Sequence, residues 1–350
     1  MHNFKKILPR VAVLLAFVFL LEAGIRFLYE PYTQYSIYAR REYQSMKEDV
    51  DTLFCGTSKT YSGYDPAVYD SSDSSTDAVS FNLGTGSQPL VTTKELLEDA
   101  FRVSPIKTVY LEVSLSTLQR GRNDSARIGA SDRFVTLFGK LSSIFHETSS
   151  GVQVRKLLYS TRVTDYFDFS AVAANVSYKL SAESGQAPVM PDKEPQYLGR
   201  GFLNNDNVYS GKRYTDTNIT IHSWKPHIHT QENKALLDEI ITLCQEKGVE
   251  IILVSPPLPE VLLSHAGDMN NMHATYQAIA DSHGIPFYDM NFYTEKNTVF
   301  NRELFRDIVH LNRNGAEIYT ELIAEIHESG DAYPTYFTEE YMGEVAEPAA

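Results

Sequence analysis

The chain has 350 residues, 43% of them hydrophobic and 22% charged, which is enough apolar content for a buried core in one large domain or two small ones. Its net charge of -14 and pI near 5.2 lack the basic footprint that phosphate-backbone binding requires, so nucleic acid is excluded as a partner. Only Cys55 and Cys244 occur, both inside apolar patterns, which predicts buried free thiols and excludes disulfide stapling and cysteine-ligated zinc.

At the N-terminus, Lys5, Lys6 and Arg10 precede an apolar run from Val11 to Tyr29. Its length suits a helix that crosses a bilayer, and the preceding cations orient the N-terminus towards the cytoplasm. Glu22 and Arg26 interrupt the run one helical turn apart, where they can pair with each other or reach the interface. No small-x-small cleavage site follows, so a retained anchor over residues 1–30 is favoured over a cleaved signal peptide. Residues 31–48 read as a linker and 49–330 as an extracytoplasmic domain. Residues 331–350, acidic and without core periodicity, read as a loose tail.

Strand and helix signals then alternate. "VDTLFCG", "DAVSFNLG", "KTVYLEVS", "VEIILVSPP" and "GIPFYDMN" read as strands, with helical patterns such as "TTKELLEDAFRVS" and "QENKALLDEIITLCQEKG" between them. The alternation predicts an α/β fold, a mostly parallel sheet of about five strands with helices on both faces and ligands at the carboxyl ends of the strands. From about Gln119 to Thr230 the rhythm stops, with helical pieces and polar stretches but no clear sheet strand. Such an insertion leaves the carboxyl end of the third strand, either to arch over the active-site edge or to pack elsewhere as a subdomain.

The turn after the first strand, "FCGTSKTY", carries a glycine, two hydroxyl residues and a lysine. A Walker A loop needs a second glycine immediately before the lysine, where Ser58 stands. The nucleophile elbow G-x-S-x-G needs a glycine at Thr60. What remains is Ser58 at the carboxyl end of a strand. A partner base appears in "FRDIVHLNRNGAEIYTELIAEI", where Asp307 and His310 lie three residues apart before an amphipathic helix. That spacing lets the carboxylate take the Nδ1 proton and leaves Nε2 facing a serine. The plainer alternative is a loop at Asp307 with His310 capping the helix behind it.

Taken together, the G-x-S after the first strand, Asn82-x-Gly84 after the second and the D-x-x-H before the last helix resemble the SGNH (GDSL-like) hydrolase family from about Asp51 to Glu328. The resemblance implies a three-layer α/β/α sandwich and a serine-dependent esterase or acyltransferase with Ser58 as nucleophile, His310 as base and Asp307 as its orienting acid. It implies an oxyanion site formed by the N–H groups of Ser58 and Gly84, with Gly86 as the near alternative. One block departs: where the family carries G-x-N-D, this chain reads "EVSLSTL", and Ser116 falls about where the oxyanion asparagine should be. Losing such a donor costs on the order of 3 kcal/mol in the transition state. The anchor together with "GTS" and "DxxHLN" is similar to the bacterial envelope branch of the family, which includes D-alanyl transfer and alginate-acetylation proteins.

That branch implies acyl groups of a cell-surface polymer or other acyl-carrying substrate, no cofactor, and a membrane-bound O-acyltransferase as a further candidate partner. Lys59, Asn82 and Gln88, beside the two turns, are the candidate substrate contacts, although a solvated turn lysine is the plainer reading of Lys59. The competing class is a non-catalytic glycan-binding or scaffolding protein of the envelope. His222, His227 and His229 lack a supporting carboxylate pattern and read as an exposed loop rather than a metal site. Trp224 and the 22 tyrosines read mainly as packing.

Overall fold

The computed structural model describes residues 4–72, 78–191, 193–210 and 223–343. Five parallel strands form the sheet in the order β2-β1-β3-β6-β7: β1 Thr52–Cys55, β2 Ser80–Asn82, β3 Thr108–Glu112, β6 Glu250–Ser255 and β7 Phe287–Asp289. Such strands read as continuous apolar runs because both faces are covered. Alternate residues feed two cores. Leu53, Val109, Leu111, Ile251 and Leu253 pack against the helices Leu90–Ala100, Gln231–Glu246 and Met269–His283. Phe54, Tyr110, Ile252 and Val254 meet Tyr319 and Ile323 of the helix Arg313–Glu328 on the other face. This second core is largely aromatic: the Phe54 and Tyr64 rings stack at 4.2 Å, while the hydroxyls of Tyr69 and Tyr110 (2.8 Å) and of Tyr319 and Tyr64 (2.6 Å) satisfy one another. Cys55 and Cys244 are buried free thiols whose pKa burial pushes up, that of Cys244 to about 12.

The chain steps from β1 outward to β2 and then back across β1 to β3. The carboxyl ends of β1 and β3 therefore flank the crevice where the strand order reverses, the position at which open α/β sheets bind ligands.

Two boundaries differ from the sequence expectation. The segment 31–48 is not a plain linker. It contains the helix Tyr35–Met46, whose Ile37, Tyr38, Ala39 and Tyr43 are buried, with Tyr43 edge-on to Phe81 at 4.8 Å. Of the expected tail, residues 331–343 pack on the domain: Phe337 bridges to Tyr293, and Tyr341 donates its hydroxyl to Glu260 at 2.7 Å. Aromatic side chains scattered among acids hold this segment, and they have no helical or strand period; residues 344–350 lie outside the described residues.

The insertion holds the helices Asp124–Ala130, Leu137–Phe145, Ser150–Leu157 and Phe169–Leu180 and a hairpin of β4 (Gln196–Gly199) with β5 (Phe202–Asn204), which pairs only with itself. The hairpin turn meets the end of β2, where the Asn82 N–H donates to Arg200 O at 2.9 Å. At Gly201, φ is +84° and a Cβ would stand 2.0 Å from Asn82 O, so only glycine fits. Among the described residues one helix, Phe4–Tyr29, contains an apolar stretch able to span a bilayer, Ile7–Tyr29, with mean hydropathy 2.3. By length and composition it is a candidate membrane anchor or signal sequence.

Gly201→Ala is expected to cost about 1–3 kcal/mol through strain at the turn, read as a lowered denaturation midpoint. An unchanged midpoint would show that the turn is not held against β2.

Candidate active site

The first turn is built around close backbone approach. After β1 ends at Cys55, a Cβ on Gly56 would lie 2.3 Å from Thr60 Oγ1 and 2.5 Å from Glu112 Cβ, so the chain can pass there only as glycine. Thr57 caps the short helix Ser58–Gly63 by accepting from the Lys59 N–H. Ser58 is the first helical residue, and at that position its own N–H has no intrahelical acceptor.

Opposite it, the loop from Phe305 to Leu311 is closed by a β-bridge between those two residues, and Arg306 N–H donates to His310 O at 3.0 Å. Inside this loop Asp307 Oδ1 accepts the N–H groups of Val309 (2.9 Å) and His310 (3.0 Å). The His310 Nδ1 lies 2.8 Å from Asp307 Oδ2, and its Nε2 lies 2.7 Å from Ser58 Oγ. An ionised carboxylate only accepts, so Nδ1 carries the hydrogen and Nε2 is left to accept from the Ser58 hydroxyl. Burial opposes ionisation of Asp307, but its bond to His310, the imidazole charge, the Val309 N–H and Arg306 outweigh this and hold its pKa below the ordinary carboxylate value. The helix behind is capped by Asn312, whose Oδ1 accepts from Gly315 N–H at 3.0 Å, and not by His310.

Beneath the turn lies a residue that sequence reasoning missed. Glu112, buried at the end of β3, accepts from Thr57 N–H (2.6 Å), Thr57 Oγ1 (2.8 Å) and Thr60 Oγ1 (2.8 Å), and Lys59 Nζ stands 3.3 Å from its Oε1. Its burial opposes ionisation, yet the Lys59 charge and the three hydrogen-bond donors lower its pKa from the usual 4.5. This corrects Lys59: it is buried at 7% exposure and ion-paired, because Glu112 needs a counter-charge, and is not a solvated lysine. A lone acid in the apolar run "VYLEVS" was the available signal.

The second turn also departs from expectation. Asn82 is fully buried, its Nδ2 donating to Thr60 O (2.8 Å) and Tyr64 O (3.2 Å) while its Oδ1 accepts the Gly84 N–H (3.0 Å). Gly84 is thereby already committed, which argues against an oxyanion role; its glycine is required because a Cβ would meet Tyr61 N at 2.9 Å. Gly86 is exposed in the same turn. Gln88 is buried with both amide groups used, bonded to Thr85 Oγ1 (2.8 Å) and Thr93 Oγ1 (2.9 Å), so it shapes the turn rather than facing substrate.

Ser58 and His310 open into a cavity of about 820 Å³ whose wall includes Ser116, Arg120, Arg122 and Lys225. Ser116 is therefore where the sequence places it, but its Oγ accepts from Arg120 Nη2 at 2.9 Å. Arg120, the second residue of the insertion, keeps its buried Nη1 without a hydrogen-bond partner among the described residues. The beginning of the insertion thus lines the site, while its later helices meet the apolar N-terminal helix. His229 packs edge-on to Trp224 at 4.3 Å, and His222 lies outside the described residues.

Lys59→Met would leave Glu112 as an uncompensated buried charge and is expected to destabilise the fold by about 3 kcal/mol. Because the Glu112 pKa is depressed on folding, its contribution is fully present above its ordinary value of 4.5 and is lost as pH falls through the lower folded value. Glu112→Gln should flatten the fall of melting temperature with acid below that pH; an unaltered slope would overturn this role.

No protein-family model and no curated protein matches the chain. Several solved structures are similar to it, among them the following two at low identity. A GDSL-like lipase of Bacteroides thetaiotaomicron is 12% identical, with 84% of this chain and 98% of that chain covered and a TM-score of 0.38. A protein described as an acylhydrolase, from Bacteroides fragilis, is 13% identical over 83% of this chain and 95% of that chain, with a TM-score of 0.37.

Proposed function

We propose that the protein is a serine esterase or O-acyltransferase of the SGNH type, acting through an acyl-Ser58 intermediate on acyl groups of a cell-envelope polymer. The observation that carries this reading is the unbroken chain Ser58 Oγ, His310 Nε2, His310 Nδ1, Asp307, at 2.7 and 2.8 Å, opening into a cavity. Ser58 Oγ attacks an ester carbonyl while His310 takes its proton, and Asp307 holds the imidazole in the required tautomer. Collapse of the tetrahedral intermediate returns that proton from His310 to the leaving alkoxide. A second hydroxyl, from water or from a sugar or polyol, then attacks acyl-Ser58 with His310 again as base.

The oxyanion is met by the Ser58 N–H and by a donor from the cavity wall. Arg120 suits this second place: it lines the cavity and bonds Ser116 through Nη2, at the block where the family asparagine is missing. The polar wall, with Ser87, Gln119, Asn123 and Lys225, suits a hydroxyl-rich polymer; Arg122 also lines it but is paired with Asp124 and Glu147. The apolar N-terminal helix, as a retained anchor, would hold this domain on the outer side of the membrane beside such a polymer.

A fluorophosphonate is expected to label Ser58 in the full chain, with labelling abolished in Ser58→Ala. Absence of labelling from the folded wild-type protein would instead favour a binding or scaffolding protein. Asp307→Asn should lower kcat by about 10⁴ through the wrong imidazole tautomer. Arg120→Met should lower kcat by about 10²–10³ with little change in KM, and a raised KM with kcat unchanged would move Arg120 to ground-state binding. An aryl acetate offered with and without a polyol acceptor separates the two outcomes, because only a transferase yields acetylated polyol in place of acetate.

A further inference from the structure

We propose that the insertion seats on the bilayer: the helix Phe169–Leu180 and the turn before it lie in the boundary between lipid headgroups and acyl chains, beside the outer end of the apolar helix. The proposal rests on that helix being a retained span, and it is independent of catalysis at Ser58.

The last two turns of the apolar helix are clasped by the insertion. Glu22 accepts from the Ser160 N–H (2.9 Å) and hydroxyl (2.5 Å), and Tyr29 donates its hydroxyl to Tyr166 O (2.9 Å) with the two rings edge-on at 5.1 Å. Asn175 Nδ2 donates to Leu28 O (2.9 Å), and Lys179 Nζ donates to Phe27 O (2.8 Å) and Glu30 O (2.6 Å). From Glu22 to Tyr29 a helix advances about 10 Å. The insertion therefore runs alongside the part of the span where interfacial helices lie, about 5–10 Å into the boundary. A carboxylate at that depth is costly unless it is hydrogen-bonded, and Ser160 supplies those bonds to Glu22.

The surface at this level is unlike a water-facing one. Leu157, Phe167, Phe169 and Leu180 are 58%, 81%, 70% and 74% exposed, and the Phe167 and Phe169 rings lie 6.5 Å apart. The helix Phe169–Leu180, "FSAVAANVSYKL", has one charged side chain, Lys179, and its amine is already used on the carbonyls of the span. Its outward residues Phe169, Ala173, Ser177 and Leu180 present no charge to solvent. Next to this face, a groove of about 410 Å³ is lined by Arg26, Glu30, Arg41 and Lys179 with Tyr32, Tyr38 and Tyr178; Arg26 is paired with Glu30 and Asp132, while Arg41 bonds only the Ser184 carbonyl among the described residues. Cations and tyrosines in that position match the phosphate and glycerol layer of a membrane. Asp165 and Asp168 stand exposed on either side of Phe167 and bond the N–H groups of Phe167 and Ala171. The turn therefore meets the headgroup layer with its carboxylates, while the aromatic and aliphatic side chains of Phe167, Phe169 and Leu180, continuous with a span and bordered by a tyrosine-lined groove, commit the surface to lipid.

The test uses the full chain reconstituted in phosphatidylcholine vesicles, with single thiols introduced for an environment-sensitive dye; Cys55 and Cys244 are buried and stay unlabelled in the folded protein. Leu14→Cys reports the span, Phe167→Cys and Phe169→Cys report the seat, and Glu246→Cys reports the amino edge of the sheet, just before β6. The seat is expected to give blue-shifted emission, quenched by lipids brominated near the headgroup and protected from aqueous iodide, with the reverse at Glu246→Cys. Iodide quenching at both seat positions while Leu14→Cys remains in lipid overturns the proposal and leaves the span standing. Iodide quenching at Leu14→Cys overturns the span and the seat together. Protection of the seat from both quenchers overturns it in favour of a second copy or another protein covering this face.

Discussion

The Glu112 carboxylate ties the two strands that flank the crevice. It sits at the end of β3, yet all its close partners come from the turn after β1: the Thr57 N–H and hydroxyl, the Thr60 hydroxyl and the Lys59 amine. A buried carboxylate must be satisfied by several donors or shed its charge, and here four converge from three residues of the turn, Thr57, Lys59 and Thr60. Satisfying Glu112 therefore fixes the backbone at Thr57 and Thr60, and Ser58 lies between them. Gly56 is required by the same packing, because a side chain there would collide with Glu112 itself. The serine is held from below by electrostatics, which leaves its upper side free for His310.

The other half of the site is positioned by local geometry. The loop from Phe305 to Leu311 folds back on itself, and Asp307 accepts two backbone N–H groups as well as the imidazole. A three-residue spacing is enough to aim the imidazole, and the capped helix Arg313–Glu328 anchors the loop to the sheet. Only the distance across the crevice depends on the tertiary fold, and that distance is set by the aromatic packing of Tyr64 against Tyr319, which joins the helix after Ser58 to the helix after His310.

What the sequence made legible follows from this division. Strands buried on both faces leave unmistakable apolar runs, and Asp307 and His310 form a local motif, so the sheet and both halves of the site could be read in order. Glu112 could not, because its meaning depends on residues more than 50 positions away, and alone it looks like a charge that ends a strand. The solvated reading of Lys59 fails for the same reason: without Glu112 in view, a turn lysine defaults to solvent. Gly84 was assigned from its place in a motif, whereas the structure commits its N–H to Asn82, a bond decided by a side-chain rotamer. The helix Tyr35–Met46 escaped because its buried positions, Ser36, Ile37, Tyr38, Ala39 and Tyr43, mix polar, aromatic and small residues beside arginines, which blurs the apolar stripe.

The exit of the apolar helix gives the crevice an orientation. Tyr35 follows Tyr29 by six residues, a reach of at most about 21 Å, and its ring lies 5.7 Å from that of Tyr61, three residues after Ser58. The apolar helix therefore joins the domain at the carboxyl edge of the sheet, the edge that carries Ser58 and His310. Under the proposed function, an acyl donor or a polymer moving along the membrane surface would meet the cavity without crossing the body of the protein. An acyl-serine facing open water is hydrolysed, and a transferase must offset the 55-molar excess of water, roughly, by holding its acceptor in place. Fixing the cavity beside the surface that concentrates the acceptor supplies part of that advantage through effective concentration rather than through contacts. The insertion spans this same distance: its first residues line the cavity while its later helices reach the apolar helix, so one segment joins the cavity to that helix.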